Sequence, residues 1–150
     1  MKVSDILRAK GNTLYTVTPD QSLALAIDTM AEKDIGSLVV MEHGDLVGML
    51  TFREVIHAMA RHGGSTSKIV RTVMDDAPLT CTLETDMDEV RRMMLDRHAR
   101  YIPVMDRRML MGVISFYDVA KAVVDSQNFE NKLLKAYIRD WPESDTAPAA

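Results

Sequence analysis

The chain has 150 residues, 47% apolar and 27% charged, enough for one compact unit or two small halves sharing a core, and too ordinary a mixture for disorder throughout. Its formal net charge is −4, with Lys and Arg scattered along the sequence, so the electrostatic footprint of a nucleic-acid binder is missing. The single cysteine, Cys81, can close no internal disulfide and has no metal-ligand spacing around it, which suits a reducing compartment.

The N-terminal "MKVSDILRAKG" mixes charges with its apolar residues, so neither a signal peptide nor a membrane span is expected there, and a cytoplasmic location is. A strand should follow. "SLALAIDTMAEKD" then places Leu23, Ile27 and Met30 at helical spacing. "GSLVVMEHGDLVGMLT" is two apolar runs around a polar turn, the pattern of a hairpin, with a glycine in the turn. A closing helix is expected from Thr51.

"RHGGSTSK" at 61–68 has no hydrophobic period and reads as a linker. Beyond it the grammar returns. "DMDEVRRMMLDRH" carries Met87, Val90 and Met94 at helical spacing, "RYIPVMDRRMLMGVIS" is a second hairpin whose "DRR" turn lacks a glycine, and a closing helix is expected from Ser115. The chain ends in an extension in which Phe129, Leu133, Leu134, Tyr137, Ile138 and Trp141 form an apolar stripe before Pro142. This predicts a C-terminal helix over 125–141 and a disordered tail over 142–150.

The two halves are copies. Residues 17–58 slide onto 81–122 without a gap, pairing Thr18 with Thr82, Met30 with Met94, Val40 with Val104, Gly48 with Gly112, Phe52 with Phe116 and Val55 with Val119. The run-in repeats too, "VSDIL" at 3–7 resembling "VRTVM" at 70–74, with a three-residue difference in spacing. The organisation expected is repeat 1 over 1–60, a linker over 61–69 and repeat 2 over 70–124. Each half is too small to bury its own sheet well, so the two should pack together into one fused core.

The order of elements, with "VTPDQSL", "IGSLVV" and "LVGMLTFREV" in one copy and "ARYIPVMD" and "LMGVISFYDV" in the other, resembles the cystathionine-β-synthase (CBS) domain. The resemblance covers about residues 1–124. It implies an α+β fold of two pseudo-twofold-related β-α-β-β-α repeats packed sheet to sheet, here with a C-terminal helix added. It also implies a regulatory module with two clefts able to bind adenosine nucleotides such as AMP, ADP or ATP, and relay to a partner by conformational or oligomeric change.

Thr51–x–x–Glu54 and Ser115–x–x–Asp118 both fit a helix capping box, in which a hydroxyl caps an amide of the first turn and the acid reaches back. Glu54 suits that role. Asp118 has a shorter side chain, making a poorer box, and the resemblance assigns its counterpart to ribose hydroxyls, with the hydroxyl residue and helix N-terminus facing phosphate. Pro103 has no amide hydrogen, so it marks either an edge or a ligand-lined position; in the resembling domains Ile102 and Pro103 flank adenine. Arg100, at the strand entrance, is where the family often reaches phosphate. The nucleotide site expected in repeat 2 comprises Thr82, Arg100, Tyr101, Ile102, Pro103, Ser115 and Asp118. The corresponding possible second site is Thr18, Leu38, Val39, Thr51 and Glu54.

The methionines read as core filler. His43, His57, His62 and His98 show no paired ligand spacing, and no nucleophile, base and orienter assemble, so neither a metal site nor an enzyme is expected. No obligatory cofactor is expected. Two functions compete: a sensor that binds an adenosine compound and acts on a protein target, and a structural dimerisation module with unliganded pockets. AMP, ADP, ATP, NAD and S-adenosylmethionine all remain open as ligands. The C-terminal stripe either docks onto its own module or makes a contact with a second copy or a partner, and a homodimer is the expectation.

Overall fold

The computed structural model describes residues 1–11 and 13–139. Repeat 1 opens with α1 (Val3–Lys10) and continues through β1 (Thr16–Val17), α2 (Leu23–Lys33), the hairpin β2 (Ser37–Glu42) and β3 (Asp45–Thr51), and α3 (Phe52–Arg61). Repeat 2 has α4 (Val70–Val73), α5 (Met87–Arg97), β4 (Tyr101–Asp106), β5 (Met109–Ser115) and α6 (Phe116–Arg139). The order of strands in the first sheet is β1-β2-β3; the second sheet is β4-β5.

The hairpins match residue for residue. Leu38 faces Leu50 and Ile102 faces Ile114, and both ladders slip at the same place, between Val40 and Met41 and between Val104 and Met105. The turn lacking a glycine forms nonetheless. Arg107 takes φ 56° where the first copy has His43 at φ 53°. An arginine in this left-handed conformation is strained relative to glycine.

Alternation along the strands gives each sheet two buried faces. Leu38, Val40 and Leu50 join Leu23, Ala26, Met30 and Ala58 beneath α2 and α3, while Val39 and Met49, pointing the other way, are also buried. In repeat 2, Ile102, Val104 and Ile114 lie with Val90, Met94 and Val119, and Pro103 is buried on the opposite face. The sheets pack face to face.

The apolar core is nevertheless not one fused mass. It falls into two clusters, and each is completed by the other repeat's run-in: Val3, Ile6 and Leu7 of α1 belong to the cluster of repeat 2, and Val70 of α4 to that of repeat 1. Backbone bonds hold the exchange, Val3 N donating to Thr85 O and Ser4 N to Leu83 O, as Val70 N does to Gln21 O and Arg71 N to Pro19 O. Ion pairs repeat it, Lys2 with Glu84 and Arg71 with Asp20 and Glu42. Each fully buried aliphatic side chain of the run-ins contributes about 2 kcal/mol, so neither repeat keeps its core without the other.

Two expectations change here. The strand that should open repeat 2 shrinks to a single bridge, Cys81 with Val104. In repeat 1, Val39 N donates to Tyr15 O, but its counterpart Pro103 has no hydrogen to give Leu79 O, so pairing cannot begin one residue earlier. The helix expected over 125–141 is not separate: α6 runs unbroken from Phe116 to Arg139, joining the closing helix of repeat 2 to the extension. Trp141 and the tail over 142–150 lie outside the described residues, as do the side chains of Phe129 and Tyr137.

Candidate nucleotide site at the start of α6

The site is built where β5 becomes α6. Ser115 N donates to Asp118 Oδ2 at 2.9 Å and Asp118 N donates to Ser115 Oγ at 3.0 Å. The shorter aspartate therefore closes a reciprocal capping box after all, because the turn brings its carboxylate directly beneath the Ser115 amide. At the equivalent place in repeat 1, Glu54 Oε1 accepts from both Thr51 N, at 2.8 Å, and Thr51 Oγ1, at 2.7 Å.

Arg100 is tied to the same turn, its carbonyl accepting from Phe116 N at 2.7 Å. Its exposed guanidinium has no hydrogen-bond or ion-pair partner among the described residues. The carboxylate of Asp118, the Ser115 hydroxyl and the backbone of Arg100 thus meet at one turn.

Lys10, which the sequence did not suggest, comes in from α1. Its Nζ donates to Asp118 Oδ2 at 2.7 Å and to Val113 O at 2.8 Å, with the lysine side chain 34% and the aspartate 14% exposed. Oδ2 accepts two bonds and is saturated, whereas Oδ1 has no partner among the described residues. Lys10 lies outside the aligned block and 108 positions from Asp118; only the crossing of the run-ins makes them neighbours.

Other expected site residues are dispersed. Thr82 is exposed and orders its own turn, its amide donating to Thr85 Oγ1 and its Oγ1 accepting from Glu84 N. Tyr101 crosses to repeat 1, where its Oη occupies the place a Cβ on Gly36 would take. Ile102 and Leu38 point into the two helix-covered clusters, while Pro103 and Val39 are buried on the opposite faces of their strands. Thr18, like Thr82, is exposed.

Burial pushes the Cys81 thiol up to about 12, with nearby Glu89 adding to the effect, so it stays protonated and unreactive. No group of three or more His, Cys, Asp or Glu able to hold a metal occurs among the described residues. None of the described helices is long and apolar enough to cross a membrane.

A tandem α+β module with two exchanged run-ins and a polar turn at each closing helix is the class this geometry defines. The CBS domain model matches it twice, over residues 3–61 and 70–125. The chain belongs to the CBS domain family. The CBS domain-containing protein CBSX3, mitochondrial, of Arabidopsis thaliana is 30% identical over 91% of this chain and 71% of its own. A putative signal-transduction protein with CBS domains from Burkholderia ambifaria superposes with a TM-score of 0.80 at 32% identity, covering 85% of this chain and 96% of that one. The structure of CBSX2 in complex with AMP shares the fold at TM-score 0.70 and 23% identity, over 84% and 98%.

Proposed function

We propose that this chain is a regulatory CBS pair that binds one adenosine-type ligand at the start of α6 and passes its occupancy to a partner through a change in packing or assembly. The open carboxylate oxygen of Asp118 beside the Ser115 hydroxyl carries this reading, with Arg100 joined to the same turn through its carbonyl. Oδ1 of Asp118 is an open acceptor for a ribose hydroxyl, the Ser115 hydroxyl can donate to a phosphate, and the guanidinium of Arg100, unpaired among the described residues and on the residue joined to this turn, offers a charge for one. CBSX2, of the same fold, is described with AMP. Binding of this kind shifts a population rather than performing chemistry.

A thermal-shift screen of the full chain against adenosine, AMP, ADP, ATP, NAD and S-adenosylmethionine tests it, since a ligand that binds only the folded state must stabilise it. Saturable stabilisation by an adenosine compound supports the sensor. A flat response across the set refutes it.

One observation favours the structural alternative: Asp118 Oδ2 already has two protein donors, so the pocket is partly self-satisfied. Both readings include a homodimer. Leu133, Leu134 and Ile138 of α6 are more than half exposed, and so are Phe52, Ile56 and Leu95 on the outer helices, an apolar surface that self-association would cover. Cutting after Asp125 should move the mass in light scattering toward monomer; an unchanged oligomer would assign the contact to the repeats alone.

A further inference from the structure

The repeat relation makes α3 and α6 counterparts, yet their flanks differ. Beside α6, the run-in helix α1 continues to Lys10, whose ammonium rests on Asp118. Beside α3, the run-in helix α4 stops at Val73 after four residues, and the chain leaves to pair Asp75 with Met49. The position answering to Lys10 is Ala77, so no cation comes from that side. What remains is a cavity of about 300 Å³ between α3 and Thr72–Met74, lined by Arg53, His57 and Arg61 of α3 and by His62 just beyond its end.

Four nitrogen-bearing side chains around one cavity are unusual for an acidic chain, and they are unspent. None of them has a side-chain hydrogen bond or ion pair among the described residues. The one acid in the lining, Glu54, has Oε1 committed to Thr51. Arg61 and His62 could simply answer the free carbonyls at the end of α3, but Arg53 and His57 stand on its first two turns, where no carbonyl is free. The stripe is also not inherited from the repeat: the counterparts of Arg53, His57 and Arg61 on α6 are Tyr117, Lys121 and Asp125. Guanidinium groups facing a cavity of small-molecule size suit a phosphate group, which they can grip with paired donors.

We propose that this cavity is an anion site for a small phosphate compound, separate from the turn at Asp118 and independent of whether an adenosine ligand binds there. Calorimetry of inorganic pyrophosphate titrated into the full chain is the test. Saturable binding should weaken at least tenfold in Arg53→Ala/Arg61→Ala, and should be kept in Asp118→Ala and in the control Arg91→Ala/Arg92→Ala. All three variants should first show cooperative unfolding, the two double-arginine variants because their side chains are exposed and Asp118→Ala at a lower midpoint, since it loses the Lys10 pair and the cap of α6. No binding by the unaltered chain, an equal loss in the control, or a loss in Asp118→Ala overturns the site. In the last case pyrophosphate would belong to the turn at α6.

Discussion

Replacing Lys10 by methionine should make the protein less stable and better at holding a nucleoside. The substitution keeps the apolar stem and removes the ammonium, and with it the bonds of 2.7 Å to Asp118 Oδ2 and 2.8 Å to Val113 O. A charge-assisted pair is worth more than a neutral one, but with the lysine side chain a third exposed the net loss is about 1 kcal/mol. Asp118 keeps its bond from Ser115 N, so α6 keeps its cap. Oδ2, now accepting one bond rather than two, can take a second ribose hydroxyl beside the one at Oδ1. Relieving a competing contact of about 1 kcal/mol should raise adenosine affinity about fivefold. Urea unfolding measures the first effect and calorimetry with adenosine the second; the nucleoside is chosen because its lack of phosphate removes any direct attraction to Lys10. The gain should shrink as salt rises, since the pair it relieves is screened. Lower stability with unchanged or weaker adenosine binding would refute the reasoning and leave Lys10 a structural contact alone.

Gly48→Ala and Gly112→Ala are one substitution made at repeat-related positions, yet they should differ. The new Cβ would lie 2.7 Å from Asp75 O at the first and 2.9 Å from a Leu7 methyl at the second; a backbone carbonyl bonded to Met49 N cannot yield, whereas a leucine can rotate. Overpacking should cost about 3 kcal/mol against about 1, roughly 8 °C against roughly 3 °C in thermal midpoint, and equal shifts would show that the run-ins do not cross as described. Arg107→Gly should raise stability by up to about 1 kcal/mol by relieving the left-handed φ of 56°, measured by urea unfolding; a loss would mean that the arginine side chain matters more than its backbone. Cys81 should resist a thiol reagent in the folded chain and react on unfolding. Its pKa of about 12 lies above the thiol's ordinary value of 9.0, so the unfolded state ionises first, and stability should fall as pH rises from about 9 toward 12. Rapid labelling of the native protein would contradict this.

The alignment of the copies carries the fold a long way because side-chain periodicity and repeat spacing are local properties of the chain. Leu23, Ile27 and Met30 mark α2, Met87, Val90 and Met94 mark α5, and both hairpins close where the polar turns stand. What the alignment misses depends on distant neighbours. The run-ins repeat at a different spacing, and nothing local says that Val3 packs with repeat 2 and Val70 with repeat 1. The sequence marks Pro103 as an edge or a ligand-lined position; its missing hydrogen also shortens the strand beside it. The stripe beyond Asp125 signalled a helix without showing that α6 had never ended. The turn that joins Ser115, Asp118 and the backbone of Arg100 was legible because motif and strand entrance are short-range features. Ile102 and Leu38 belong to the cores because alternation about β4 and β2 turns them toward the helices. Lys10 was invisible for the same reason as the crossing.

The adenosine-site account stands or falls on calorimetry of the full chain and two variants, Asp118→Ala and Glu54→Ala, with the ligand that stabilises the chain most. Saturable binding at one site per chain, weakened by about 1–3 kcal/mol in Asp118→Ala and little changed in Glu54→Ala, is the predicted result. Equal weakening in both variants, or binding indifferent to Asp118, would contradict it.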